Sequence, residues 1–222
     1  DLQIHHWNVP ILRNILEKAA DRYDYVVVMP HFYENQNEAD NILKQIPRNK
    51  LILLDKNLPE LGNEYSAVYQ DFRNDIIGAL ESAKHLLNKY EKLVYVNPDI
   101  VPYPSEIVNG FKTFCEQNDF DYSIIGDLDS TIPVSRGDVY LVIEEADLAN
   151  LIKICRNQHL KIGKDVGIIS YNDTPLKEIL LDGITVISTD HEMMGKAAAN
   201  IILNQQQVKI KNPFTLILRK SL

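Results

Sequence analysis

Short, mainly apolar runs alternate along the chain with segments of helical period, and this alternation restricts the possible folds more than any other feature. Tyr25-Val26-Val27-Val28-Met29, closed by Pro30, is the first such run. It is followed by Leu51-Ile52-Leu53-Leu54-Asp55, Leu93-Val94-Tyr95-Val96 and Tyr122-Ser123-Ile124-Ile125. Val139-Tyr140-Leu141-Val142-Ile143, Val166-Gly167-Ile168-Ile169-Ser170 and Ile184-Thr185-Val186-Ile187 complete the set. Runs this short, without polar alternation, read as strands buried on both faces. Helices are expected over 10–20, 36–46, 74–90, 104–117, 147–158, 175–181 and 190–204. In the third of these, Ile76, Ile77, Leu80, Ala83, Leu86 and Leu87 recur at the helical period and face inward. Residues 2–7 alternate as an opening strand, and 214–218 form the closing one. Strands alternating with helices predict an α/β chain of parallel sheets covered on both sides.

Composition removes several functional classes. A length of 222 residues fits one large domain or two small lobes, and 45% hydrophobic content excludes a disordered chain. A net charge of −8 opposes binding to a phosphate backbone. The closest basic runs are Lys209-Ile210-Lys211 and Arg219-Lys220, so any DNA contact must come from another part of the protein. Cys115 and Cys155 lie in helix-like stretches without metal-ligand spacing; they read as buried apolar residues and suit a reducing cytoplasm. No run approaches membrane-spanning length, and no signal peptide opens the chain. Glycine-rich phosphate loops, a nucleophile elbow and zinc or calcium motifs are all missing from the sequence. His5 and His6 would point to opposite faces of a strand, and the other histidines are isolated. The expectation is a non-enzyme without cofactor or metal. The chain begins at Asp1, which reads as a fragment or processed chain starting inside a fold.

In doubly covered parallel sheets, ligands bind past the carboxyl ends of strands, near the point where strand order reverses. The residues there are His31-Phe32-Tyr33, Asp55, Gln70-Asp71-Phe72, Asn97-Pro98-Asp99, Glu144-Glu145, Tyr171-Asn172-Asp173 and Ser188-Thr189-Asp190. Carboxylates, amides and aromatic rings suit a neutral polyhydroxyl ligand. Short polar loops also follow strands in any such fold, so composition alone does not separate the two readings. Thr189-x-x-Glu192 is a capping box at the start of the 190–204 helix, so Thr189 and Asp190 are candidates for capping as much as for ligand contact.

Residues 163–204 carry a specific resemblance. Gly167-Ile168-Ile169-Ser170-Tyr171-Asn172-Asp173 is followed by Ile184-Thr185-Val186-Ile187-Ser188-Thr189-Asp190, then by Gly195, Ala198 and Leu203. This closely resembles the effector domain of the lac-repressor family. The ending, Phe214-Thr215-Leu216-Ile217-Leu218-Arg219-Lys220-Ser221, resembles that family's last strand and basic–Ser turn. Lys50–Lys56, Val68–Phe72 and Ile107–Phe111 fall in the family's order, and the details look closest to regulators that join a GntR-type winged helix to this module. The resemblance implies two Rossmann-like lobes of the periplasmic-binding-protein-like I type, whose family fold begins with a strand and helix absent here. It places Asn172 at a ligand-contacting position. Glu145 stands where relatives carry the Asn of an Asn-Asp pair, and Ala146 replaces the Asp. Ile107 stands where relatives often carry an Arg, which removes the natural partner of an anionic effector.

These readings give a first lobe of 1–91 plus 190–206 and a second of 92–189 plus 207–222, joined by three crossovers that act as a hinge. A neutral monosaccharide is expected between the lobes. Asp71, Glu145 and Asn172 supply hydrogen bonds, Asp190 lies at the hinge side, and Phe32 or Tyr103 covers the sugar ring. The resemblance further implies a homodimeric, cytoplasmic transcriptional regulator that touches DNA through a separate N-terminal domain and has no membrane contact. A periplasmic sugar-binding protein of a transport system is the rival, against which the Arg219-Lys220-Ser221 ending speaks. An α/β enzyme on a nucleotide or sugar would need a catalytic constellation that the sequence does not offer.

Overall fold

Each apolar run named above forms a strand in the computed structural model, which describes residues 1–19, 22–98, 103–129 and 132–222. The chain divides into two compact units, one of Asp1–Gln70 with Asp190–Pro213, the other of Asp71–Thr189 with Phe214–Leu222. It therefore crosses from one to the other three times. The first crossover falls at 70/71, not near 91, because helix α3 (Phe72–Leu87) packs on helix α4 (Ser105–Gln117) and on strand β10 (Phe214–Ile217). Gly110 makes the helix contact possible. A Cβ there would stand 2.5 Å from the Arg73 carbonyl oxygen, closer than real atoms approach.

The first unit holds a parallel four-stranded sheet in the order β1 (Val26–Val28), β2 (Leu51–Asp55), β3 (Ser66–Tyr69) and β9 (Lys209–Lys211). Strand β9 is the basic Lys-Ile-Lys run, too short and too polar for periodicity to reveal; its pairing with β3 carries residues 207–213 into this unit. The two faces of the sheet feed different cores. Leu51 and Leu53 pack with helices α1 (Val9–Ala19) and α2 (Gln36–Leu43), while Ile52 packs with Met194, Ala198 and Ile201 of helix α7 (His191–Leu203).

The second unit holds six strands in the order β10, β8 (Thr185–Thr189), β7 (Gly167–Tyr171), β6 (Asp138–Val142), β4 (Lys92–Val96) and β5 (Asp121–Ile125). All its pairs are parallel except β10 with β8, an antiparallel edge on an otherwise parallel sheet. Successive side chains along a strand again face different cores. Val139 and Leu141 face the α3–α4 core, and Tyr140 and Val142 face the core beneath helix α5 (Glu145–Asn157). Both cysteines are fully buried, and burial pushes the Cys115 thiol up to about 12 and the Cys155 thiol up to about 11.

The expected opening strand does not form. Leu2 and Ile4 are 88% and 64% exposed, and His6 and Trp7 take left-handed backbone with φ of 49° and 54°, which ends any extended run. Strand β1 pairs with β2 alone. His5 and His6 are therefore not on opposite strand faces; the His5 ring lies tilted against Phe32 at 4.9 Å and its Nε2 bonds the Met29 carbonyl. Among the described residues, no helix is long and apolar enough to cross a membrane.

Candidate functional site at the carboxyl ends of the strands

In the second unit the strand order reverses between β4 and β6, since β5 lies beyond β4 on one side and β6, β7 and β8 follow in turn on the other. Loops leaving the tips of β4 and β6 must part there and open a crevice. The Tyr103 hydroxyl donates to Glu144 Oε1 at 2.6 Å, linking the segment after β4 to the segment after β6. Glu145, next in sequence, is exposed at the first turn of α5. Asp99, named among the strand-end residues, lies outside the described residues.

One strand further along, β7 ends in a turn held from three sides. Asn172 is left-handed, with φ 58°, a conformation that asparagine tolerates better than most residues. Its N–H donates to the Ile187 carbonyl, and its Oδ1 accepts a long bond from the Thr189 N–H at 3.4 Å. Lys177, 3% exposed, donates from Nζ to the carbonyls of Tyr171 at 2.8 Å and Asn172 at 2.9 Å. Burial lowers its pKa, while the carboxylates of Glu145, Asp173 and Glu144 act the other way. Asp173 is gripped by both arms of Arg219, at 2.9 and 2.7 Å. The Arg219 hydrogen bonds hold the Asp173 carboxyl below its ordinary range against the opposing effect of burial. At the amino-terminal starts of β7 and β8, Ser221 accepts from the Thr185 N–H and donates to the Ile168 carbonyl, both at 2.7 Å.

Four of the expected ligand residues, Asp71, Tyr103, Glu145 and Asn172, belong to this second unit. Asp71 precedes α3 without capping it; its Oδ2 accepts from Asn74 Nδ2 at 2.8 Å. The other two, Phe32 and Asp190, belong to the first unit. Phe32 is 7% exposed and lies within the core of that unit. Asp190, not Thr189, caps α7, its Oδ1 accepting from the Met193 N–H at 2.8 Å. Ile107 is fully buried on α4 against the sheet, an apolar role consistent with its side chain.

Sequence reasoning missed Lys177, whose position six residues after Tyr171 carries no signal in a lysine-containing helix. It also took Arg219 only as part of a basic tail. In the first unit, the tips of β2 and β3 carry a further polar set: the Gln70 N–H donates to the Asp55 carbonyl, and the Asp55 carboxylate pairs with His31 Nε2 at 2.7 Å. An open apolar groove of about 710 Å³ lies elsewhere in this unit, lined by residues 1–7, α1 and the length of β1. It follows the sheet edge rather than the strand ends. No three His, Cys, Asp or Glu side chains gather as a metal site requires, among the described residues.

Residues 140–222 match the periplasmic binding protein-like domain family. No curated protein matches the chain in sequence. Among solved structures, an uncharacterized protein from Actinobacillus succinogenes is similar with a TM-score of 0.77 and 18% identity, covering 98% of this chain and 85% of that one. A LacI family transcriptional regulator from Lactobacillus casei with bound glucose has a TM-score of 0.73 at 14% identity, covering 100% and 87%. A periplasmic binding protein/LacI transcriptional regulator from Alkaliphilus metalliredigens complexed with D-xylulofuranose has 0.69 at 16%, covering 97% and 84%. The chain thus has the periplasmic-binding-protein-like α/β fold, and its stretch 140–222 carries the sequence pattern of that domain family.

Proposed function

We propose that this chain is the effector-sensing part of a sugar-responsive bacterial transcriptional regulator and binds a neutral monosaccharide. The observation that carries the reading is the polar rim at the strand-order reversal, where Tyr103 joins Glu144 beside the Asn172 turn. A tyrosine ring offers an apolar face to a pyranose or furanose, and carboxylate and amide groups take its hydroxyls. The rim disfavours an anion: the Arg219 guanidinium is taken by Asp173 and the Lys177 ammonium by two carbonyls. Glucose and D-xylulofuranose in two solved structures of this fold support the ligand class.

In this reading the domain architecture has a DNA-binding domain outside the 222 residues, the regulator works in the cytoplasm as a homodimer, and the three crossovers let ligand shift the protein between conformations. Asp71, Glu145 and Asp190 contribute hydrogen bonds and Phe32 an aromatic wall. Sensing rather than catalysis is its task. Titration calorimetry of the chain with D-glucose and D-xylulose tests this. Asn172→Gly keeps the left-handed turn while removing the amide, so affinity falls about tenfold with an unchanged circular dichroism spectrum. Equal affinity in a well-folded Asn172→Gly protein would move the site away from the β7 tip.

A further inference from the structure

Two neighbouring strand tips in the first unit end in amides that keep three polar atoms without a partner. Gln70 follows β3 and Asn212 follows β9, each one residue past the paired positions Tyr69 and Lys211. The Asn212 N–H donates to the Tyr69 carbonyl at 2.8 Å, which fixes the two tips side by side. Gln70 is 4% exposed and Asn212 is 2% exposed. Nonetheless, Gln70 Nε2, Gln70 Oε1 and Asn212 Oδ1 are buried without any hydrogen bond. Asn212 Nδ2, by contrast, is engaged, donating to the carbonyls of Asp190 and Pro213 at 3.1 and 3.2 Å. A buried polar atom left unpaired is unfavourable, and three at adjacent tips are not what folding alone selects. No packing need explains a glutamine there, since an apolar side chain of similar length would fill the space without the penalty.

We propose that Gln70 is a ligand-recognising residue, whose amide takes a hydroxyl of the neutral effector with Asn212 Oδ1 as a second acceptor. This rests on the sugar-sensing reading above. The chemistry selects the partner. Two carbonyl oxygens repel an anion, and the Nε2 hydrogens repel a cation. A hydroxyl both donates and accepts, so it satisfies Oε1 and Nε2 in turn. Gln70 is also anchored for the task, because its N–H bonds the Asp55 carbonyl at 2.9 Å and Asp55 is itself tied to His31.

The test is Gln70→Met, which keeps length and apolar volume and removes the amide. Thermal unfolding without sugar and calorimetry with D-glucose and D-xylulose are read on the wild-type chain and the variant. The expected result is a melting temperature raised by about 2 °C, because an unpaired amide has gone, together with sugar affinity weakened about tenfold. Wild-type binding that persists unchanged in Gln70→Met overturns the assignment while leaving the sensing function standing. A lowered melting temperature with unchanged affinity overturns it as well, and marks the amide as the seat of a structural water. Absence of binding by the wild-type chain to either sugar fails the sensing reading itself, and with it the proposal.

Discussion

The two units end their strands in opposite ways. In the second unit, the tip of β7 is closed by bonds made within the unit: Lys177 on two carbonyls and Arg219 on Asp173. Charged groups buried there are hydrogen-bonded, and the backbone turn at Asn172 is held in its left-handed form. In the first unit, the tips of β3 and β9 present amide atoms that nothing in the unit satisfies. Unpaired atoms also exist in the second unit, but the Ser170 hydroxyl lies inside β7, not past its end. The two kinds of tip suit different tasks. Satisfied bonds hold groups in place before ligand arrives, and unsatisfied ones give the ligand something to gain.

The largest expected effect breaks the closed tip. Arg219→Met removes the guanidinium that Asp173, Ile184 and the end of β7 depend on. With side-chain exposure of only 14% for Arg219 and 28% for Asp173, the loss should be about 2 kcal/mol in urea unfolding. Adding Asp173→Asn should recover part of it, giving a coupling of about 1 kcal/mol in a double-mutant cycle. A loss below about 0.5 kcal/mol would place this pair with ordinary surface ion pairs and remove the contrast between the units.

The same pair gives the comparison a pH axis. Asp173 has a folded pKa below its ordinary 3.8, so its stabilisation is complete above that value and disappears as pH falls through the depressed one. Lys177 acts with the same sign at higher pH: burial lowers its amine from the ordinary 10.5, so stability again rises as pH climbs through the lowered value. Urea midpoints from acid to neutral pH should therefore fall less steeply toward acid in Asp173→Asn than in the wild-type chain. Parallel curves for the two proteins would mean that Asp173 does not set the acid limb.

A smaller effect separates two aspartates that sequence alone treats alike. Asp190 caps α7 through its side chain, whereas Asp71 precedes α3 without a capping bond. Asp190→Ala should lose about 1 kcal/mol and Asp71→Ala about half of that, by thermal unfolding. Equal losses would show that the bond from Met193 N–H contributes little.

The alternation of apolar runs and helical periods determined the α/β class, because burial on both faces of a strand leaves a compositional trace in the strand itself. The same trace placed β6 and β7, and with them the rim residues Glu144, Asn172 and Asp173 just past their ends. It failed at residues 2–7, where alternation of Leu2 and Ile4 with polar neighbours looks like a strand but no sheet partner receives it. It was silent on β9, since three residues, two of them lysines, become a strand only because β3 offers hydrogen bonds from 142 residues away in sequence. For the same reason Lys177 shows no sign of its role in one dimension, Gln70 none beyond its place just past a strand, and Arg219 none beyond its place in a basic ending. Whether a lysine is solvated or buried on two carbonyls, or a glutamine amide paired or left over, depends on which distant backbone groups the tertiary fold brings within about 3 Å.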